Sequence, residues 1–506
     1  MDHSGWRHPV ATRCGCPAGT RWIALVPLVL GLAIPGAAGR LDPGSLDYLG
    51  AFRLPGTGGD TPASWDWGGQ AMTYVPDGDP SGPDDGFPGS LVVTGTATEN
   101  WVSEVSIPAP VRSADPGALP EATTLQPFAD VRQGLFPAFV ELPRVGLEYL
   151  PPRAGQTSGH LYLAWGQHYH EDPDLEVAPT HGRCEMDLTD PQTRGPWWVG
   201  TAAANREGFI YAVNDYLFAI PDGWAAEHTG GRALATGRFR DGGWSGMGPG
   251  LVAIGPWLDG DPPGTPPPPG TELTHVDLLR YSTVGSGDDH RLQGYSPADG
   301  WGGGAWLTAD GDAAVVFVGT RASGYTWYGF FTPGGVGAPP LYPEGAPCPY
   351  MVGDLMCVQP DGETPCTEAD LAPCAGAPVE EESRGWWASR FDAVLLFYDT
   401  SDLSAVAAGT MEPWEPQPYA SLDVDSSLLL PDPPPDVAVY MGSGPQRQYR
   451  LGAAAFDRER GLLYVLEPFG HAYEPVVHVW RVRSGGPPVV TAPLPRRSRG
   501  RVLPER

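Results

Sequence analysis

The sequence predicts an all-β fold in which copies of a small antiparallel sheet surround a common axis. A strand–turn–strand pattern recurs along the chain, its turns carry hairpin chemistry, and 69 Gly and 59 Pro among 506 residues favour tight turns and exclude long helices. The chain also contains 18 Trp, 19 Tyr and 15 Phe, enough apolar surface to offset the ordering entropy of a folded chain.

The repeated pattern begins near residues 69, 146, 208, 303 and 451. In each copy a strand led by small residues is followed by a turn, such as Asp310-Gly-Asp or Asn214-Asp215, and then by an apolar strand. Such a sheet cannot bury both faces alone, so the copies must stack, and we predict a five-bladed β-propeller. A sixth blade opening at residues 249–257 and a β-sandwich are the alternatives.

Both ends of the repeat array suggest how the ring closes. Residues 48–54 form an isolated strand ahead of the first copy, and the last copy stops after a strand at 476–482. The N-terminal strand is therefore expected to supply the outer edge of the last blade. The long gap before the last copy is explained if residues 332–386 are an insertion in the fourth blade, with the strand at 391–398 as that blade's outer strand.

Three motifs resemble uncharacterised secreted bacterial β-propeller repeat proteins. They are Gly-x-Ala-x-x-Tyr from Gly69, Leu-Val-Val-x-Gly from Leu91 and Val-Ser-Glu-Val-Ser-Ile-Pro from Val102, after a Tyr-Leu-Gly-Ala-Phe-Arg-Leu-Pro opening at Tyr48. The likeness covers residues 45–483. It implies the propeller fold and no particular activity.

Residues 1–39 have the order of a secretory signal peptide: arginines, an apolar stretch at 22–34 and a small-residue end. An uncleaved anchor is the alternative. No other segment is long and apolar enough to span a membrane, so the mature protein is expected to be secreted, extracellular or periplasmic. The propeller domain is assigned to residues 40–485 and a disordered basic tail to 486–506, which could alternatively contact an acidic cell-surface polymer.

Four cysteines lie close together in the Pro/Gly-rich insertion, which has little apolar content to hold a shape. Two disulfides of unknown pairing are predicted there, and zinc binding is the rival because cysteines also ligate metals. These residues are Cys348, Cys357, Cys366 and Cys374. Cys184 is the odd one, either buried and free or a crosslink.

The formal net charge of −29 excludes extensive contact with a nucleic acid backbone. With no Lys in the chain, Schiff-base catalysis is also excluded. No phosphate-binding glycine loop or hydrolase nucleophile motif is present. A monomer is expected.

In a four-stranded blade, the loop between strands two and three and the connector entering strand one emerge on the same face. These segments hold aromatic rings, acids and histidines, a combination that suits sugar rings and their hydroxyls. The expected ligand-binding residues are Trp65, Trp67, Trp101, Arg321, Tyr325, Trp327 and Tyr473. The candidate acids and proton partners of a catalytic site are Glu99, Glu171, Glu474, His168, His170 and His471.

Two metal sites are weaker expectations. Asp77, Asp79 and Ser81 begin like a calcium loop, although Pro88 stands where the bidentate Glu should be, so any calcium would be structural. His168-x-His170 could place two imidazoles on one transition metal. No other cofactor is expected.

Together these observations favour a secreted propeller that binds an extracellular glycan or cell-surface polymer at one channel mouth. An extracellular hydrolase or lyase that uses the carboxylates and histidines of that mouth is one alternative. A scaffold for protein–protein interaction is the other. The aromatic rings could equally cover blade interfaces, and the charges could serve solubility.

Overall fold

Five antiparallel sheets, blades 1 to 5, follow one another along the chain in a computed structural model. Each innermost strand contacts that of the next blade, and the innermost strand of blade 5 contacts that of blade 1, which closes the ring. The five-bladed propeller is therefore confirmed. The structure describes residues 38–483 except 57–61, 81, 83–85, 137–142, 154, 168–177, 241–245, 258–264, 284–285, 287, 330–349, 353–355 and 359–384.

Every blade has four strands that run from the axis outward. They are Met72–Val75, Ser90–Thr94, Val102–Ser106 and Thr124–Ala129 in blade 1; Pro143–Leu150, His160–Gln167, His181–Glu185 and Arg194–Val199 in blade 2; Tyr216–Ala219, Leu234–Gly237, Leu251–Ile254 and His275–Leu279 in blade 3; Gly300–Ala309, Asp312–Gly329, Gly385–Tyr398 and Ala420–Asp423 in blade 4; and Ala454–Asp457, Leu462–His471, Glu474–Val482 and Leu46–Arg53 in blade 5.

Short elements complete the chain. The strands Gly39–Arg40 and Glu272–Leu273 add parallel pairs to blades 4 and 2, and Tyr350–Val352 pairs with Met356–Val358 inside the predicted insertion. The helices include Ala202–Arg206, Asp222–His228, Thr400–Ala407 and Pro435–Met441, with 3-10 turns at Pro43–Ser45, Pro116–Ala118, Phe209–Ala212, Asp425–Ser427 and Gly444–Gln446. Within the described ranges, no helix has the length and apolar character needed to cross a membrane.

The core lies between the blades, because both faces of each sheet are covered by its neighbours. In blade 1, Leu91 and Val93 pack among residues of blade 5, whereas Val92 between them packs among residues of blade 2. Successive side chains of a strand point to opposite faces, so a strand buried on both sides must be apolar throughout. This explains the continuous apolar runs of the sequence.

Small residues let the inner strands crowd together at the axis. A Cβ at Gly302 of blade 4 would lie 2.3 Å from the carbonyl oxygen of Gly452 in blade 5, and one at Gly146 of blade 2 would lie 2.6 Å from the backbone nitrogen of Leu217 in blade 3. Backbone at these distances leaves no room for a side chain. The small residues that lead the repeats are thus a packing requirement of the five-fold ring.

The N-terminal strand closes blade 5, as predicted. Leu46–Arg53 pairs antiparallel with Glu474–Val482, and Tyr48 lies opposite Trp480. The hydroxyl of Tyr48 lies 2.9 Å from Nδ1 of the fully buried His478, whose Nε2 lies 2.8 Å from the carboxylate of Glu467. A chain of buried polar contacts therefore joins the first strand of the propeller to the last blade.

Two details of the repeat assignment were wrong. The third copy was expected to begin with a strand at residue 208, but Phe209–Ala212 is a 3-10 turn and the inner strand of blade 3 is Tyr216–Ala219. The strand at 391–398 belongs to Gly385–Tyr398, the third strand of blade 4, and Ala420–Asp423 is the outer one. The rival sixth blade at 249–257 is the third strand of blade 3.

Several predictions fall on parts of the chain outside the described residues. The signal segment up to residue 37, the tail from residue 484 and most of the insertion at 332–386 belong to this group, as do the side chains of its four cysteines. The predicted disulfides thus remain predictions. Cys184, in contrast, is described: it is free and buried.

Candidate functional site

The two mouths of the channel differ in the loops that form them. We call the upper mouth the end where chain enters the inner strands and where the second and third strands are joined. The lower mouth is the opposite end, where the first and second strands are joined. The upper mouth contains a cavity of about 210 Å³ at the axis, the axial cavity.

All five blades contribute to the axial cavity. Six aromatic residues line it, together with Gln70, Arg144 and Thr320 and the glycine-rich inner strands. The aromatic residues are Trp67, Phe239, Trp301, Tyr440, Tyr449 and Phe469. Aromatic walls with a few polar groups are typical of small-molecule sites.

Three of these aromatic residues have a left-handed backbone. The φ angles are +62° at Trp67, +48° at Tyr449 and +55° at Phe469. A bulky residue rarely adopts this conformation, which costs of order 1–3 kcal/mol and persists only where the surroundings enforce it. Such residues cluster at ligand sites. At these three residues the backbone adopts an unfavourable conformation, and the aromatic ring lines the axial cavity.

The rings meet one another edge to face. Trp67 lies 5.2 Å from Phe469 between ring centroids, with an interplanar angle of 88°, and 6.2 Å from Tyr440. Edge-to-face pairs are a favourable arrangement of aromatic quadrupoles. These contacts between the rings therefore help to hold the aromatic side chains of the cavity in position.

Arg144 brings a positive charge to this wall. Its guanidinium carbon lies 4.1 Å from the ring centroid of Phe239 and 5.3 Å from that of Tyr449. Its Nε is buried and has no hydrogen-bond partner among the described residues. Burial lowers the pKa of Arg144, and the charges of Arg240 and Arg238 lower it further, against the raising effect of Tyr449 and Asp215.

Asp215, the carboxylate that raises the pKa of Arg144, already has other partners. It lies 3.2 Å from Nη1 of Arg238 and accepts a hydrogen bond of 2.8 Å from the backbone N–H of Phe239. Burial also raises the pKa of Asp215, although Arg238 and Arg144 oppose that shift. Three guanidiniums thus surround Phe239. Arg144 is therefore close to two further arginines and one acid.

Neighbouring loops hold the aromatic wall in place. The backbone N–H of Trp67 donates to the carbonyl of Tyr473 at 2.9 Å, and the hydroxyl of Tyr473 donates to Asp436 at 3.0 Å. Arg447 donates to the carbonyl of Pro468, the residue before Phe469, and lies 3.7 Å from Glu467. The polar network that closes blade 5 therefore also supports the cavity.

The expected ligand-binding residues lie in several environments. Trp67 lines the cavity and Tyr473 supports it, but Trp65 is buried in the core against Phe128, and Trp101 is half-buried outside the lining. Arg321 is 3.5 Å from Asp299 and donates to backbone carbonyls. The side chains of Tyr325 and Trp327 lie outside the described residues.

Three of the expected catalytic residues are described. Glu99 is half-buried and lies 3.4 Å from Arg132, and His471 lies 3.6 Å from Glu474 on the hairpin of blade 5. His168, His170 and Glu171 lie outside the described residues.

The calcium prediction is not tested by the structure. Asp77 is exposed and Asp79 is buried in the turn between the first two strands of blade 1, and Ser81 lies outside the described residues.

Among described residues, one acidic cluster is close enough to hold an ion: Asp392, Asp423 and Asp425. Asp425 there bonds to Arg450 at 2.7 Å, and Asp392 accepts from Ser323. Its carboxylates thus serve blade packing.

The lower mouth contains a second cavity, of about 240 Å³, with a different chemistry. Glu148, toward the far end of the strand Pro143–Leu150 that also contains Arg144, accepts a hydrogen bond of 3.0 Å from Thr73. Burial raises the pKa of Glu148 to about 8, against the lowering effects of Thr73 and Arg458. Arg458 donates to the backbone carbonyls of Trp306 and Ala219. Burial therefore favours the protonated form of this carboxyl.

A comparison of the chain with protein-family models, curated proteins and solved structures finds no match. The functional argument therefore depends on the site itself.

The sequence reasoning missed Arg144, Phe239, Tyr440, Tyr449 and Phe469. It considered the polar loops at the mouth that contains the axial cavity and not the ends of the inner strands. One signal was present: Arg144 is a charged residue near the start of the strand Pro143–Leu150, whose following residues are largely buried.

Proposed function

We propose that this protein binds an extracellular carbohydrate in the axial cavity. The observation that carries the proposal is the convergence of six aromatic residues from five segments of the chain on one cavity of about 210 Å³. At about 30 Å³ for each water of liquid, this volume equals roughly seven waters, which suits one sugar ring and not a long chain segment.

The lining has the chemistry that a sugar needs. Aromatic faces pack against the C–H faces of a pyranose, and polar side chains bond to its hydroxyls. Gln70 offers a buried Oε1 that accepts no hydrogen bond within the described part of the chain, so a sugar hydroxyl could donate to it. The left-handed backbone of three wall residues supports a binding role, because such strain concentrates at ligand sites.

Tyr440→Ala tests the proposal, with Tyr149→Ala as its matched control. Both tyrosines are half-buried, but Tyr440 lines the axial cavity and Tyr149 lines the lower cavity. A glycan array would identify ligands of the full chain, and calorimetry would measure their affinity. We expect Tyr440→Ala to weaken binding by about 1–2 kcal/mol and Tyr149→Ala to leave it unchanged. An array without hits, or equal losses in both variants, would refute the proposal.

Export is part of the proposal. The order of arginines, apolar stretch and small residues in residues 1–39 supports removal of this segment during secretion. N-terminal sequencing of protein recovered from the periplasm or medium of a bacterial host would test it. A mature chain beginning near residue 40 is expected, and a product that retains residues 1–39 in the membrane fraction would contradict it.

A further inference from the structure

We infer that the axial cavity selects sugars that carry an anionic group, and that Arg144 is the residue that contacts this group. The inference rests on the proposed function, since it names the class of ligand that the cavity prefers. A carboxylate, as in a uronic acid, and a sulfate ester share the required chemistry.

The first step is the state of Arg144 itself. Arginine remains protonated in proteins, so its guanidinium is a cation even where burial lowers its pKa. Buried cations are normally paired with an acid and have their donors satisfied. Arg144 has neither an ion pair nor a hydrogen bond among the described residues, and its Nε is buried.

The second step is the geometry of its surroundings. Stacking on Phe239 at 4.1 Å fixes the plane of the guanidinium from one side, and Tyr449 at 5.3 Å adds a second ring. A guanidinium held by stacking keeps its N–H edge available, and that edge matches a carboxylate or sulfate with two parallel hydrogen bonds. Arg144 lines the cavity in which the aromatic rings would hold the sugar.

The third step is the local charge. Arg238 and Arg240 lie near the same ring, and Asp215 is engaged with Arg238 and the backbone of Phe239. An anion in the cavity would give Arg144 a counterion, whereas a neutral sugar would not. The chain as a whole carries −29, so a cation in this cavity is a local feature and not a consequence of composition.

The test compares matched neutral, uronate and 6-sulfate forms of glucose, galactose and mannose, titrated into the full chain by calorimetry and ligand-observed NMR. The variants are Arg144→Met, which removes the charge with little change in volume, and Arg144→Lys, which keeps the charge without the planar edge. Arg206→Met, on the exposed surface of a short helix, is the control for the same change in net charge.

An anionic form should bind about 10- to 100-fold more tightly than its neutral partner, the range expected for charge-assisted hydrogen bonds. That preference should disappear in Arg144→Met, remain in part in Arg144→Lys and be complete in Arg206→Met. The melting temperature of Arg144→Met should equal or exceed that of the wild type, because a half-buried charge without an ion pair among the described residues is removed.

Three results would overturn the inference. Equal affinity for neutral and anionic forms in the wild type would refute the anionic preference while leaving carbohydrate binding intact. An anionic preference that persists in Arg144→Met would refute the role of Arg144. Binding of none of the sugars would refute the proposed function, and the inference with it. If Arg144→Met does not fold, the comparison of anionic with neutral sugars on the wild type and on Arg144→Lys still tests the inference.

Discussion

Glu467 should be among the most important residues for the stability of the propeller, and Glu467→Gln tests this. Its carboxylate is fully buried, lies 2.8 Å from His478 and accepts the backbone N–H groups of Leu429 and Leu430 at 2.8 and 2.7 Å. Removing its charge leaves the buried guanidinium of Arg447, 3.7 Å away, without a counterion. Breaking a buried pair in this way costs about 3–5 kcal/mol of unfolding free energy.

The dependence on pH has a defined sign. Burial by itself would raise the pKa of Glu467, but the hydrogen bond and charge of His478, together with Arg447, bring it below its ordinary value of 4.5. The contribution of the carboxylate is therefore complete above pH 4.5 and is lost as the pH falls through the lower folded value. The difference between wild type and Glu467→Gln should shrink in that acidic range.

Urea unfolding followed by tryptophan fluorescence, from pH 3 to pH 8, measures both effects. Tyr48→Phe removes one hydrogen bond of the same chain and should cost about 0.5–1.5 kcal/mol. Glu459→Gln changes an exposed acid 3.6 Å from Arg460 and should cost less than about 1 kcal/mol. If Glu467→Gln is no more destabilising than Glu459→Gln at pH 7, the buried network does not hold the ring closed.

Three further changes probe the axis and the cysteines. Gly302→Ala should destabilise the fold by about 1–3 kcal/mol in urea unfolding, because its Cβ would meet backbone, whereas Gly223→Ala, in a helix with open space, should be neutral or stabilising. Glu148→Gln should flatten the loss of stability that the wild type shows as the pH rises from 4.5 to about 8, since folding keeps this carboxyl protonated; an unchanged pH profile would contradict the raised pKa. Burial raises the pKa of Cys184 to about 12, so iodoacetamide should label it only after unfolding. Without reductant, the mature chain should take up one label in all if the cysteines of residues 332–386 are paired; more labels would refute the predicted disulfides.

The blade count could be predicted because each sheet is buried on both faces. Burial of this kind requires small residues, apolar strands and turns that recur in every blade. It failed at the start of blade 3. The run Phe209–Ala212 is buried at every position, and periodicity does not separate a fully buried strand from a fully buried turn of helix. Gly208, with a φ of +99°, ends the preceding helical turn and begins the next one.

The aromatic lining of the axial cavity was less predictable, because its geometry depends on backbone conformations that cannot be read from the residue types. A left-handed φ is expected at Gly or Asn, yet Trp67, Tyr449 and Phe469 adopt it. Only the packed ring enforces these angles, through contacts such as Trp67 with the carbonyl of Tyr473. Loop composition therefore pointed to the mouth that contains the axial cavity without indicating which rings reach the axis.

The inner strand of blade 2 shows how one element can serve both mouths. Arg144, Gly146 and Glu148 alternate with the core residues Val145 and Leu147, so period two places them on the same face of the strand. The acid lies four residues beyond the cation along the strand, a distance of about 13 Å. The side chain between them is absent, and the backbone of blade 3 fills that space. The two cavities are thus chemically independent: one is cationic and aromatic, and the other has a neutral carboxyl. A ligand that binds in one cavity is therefore not expected to bind in the other.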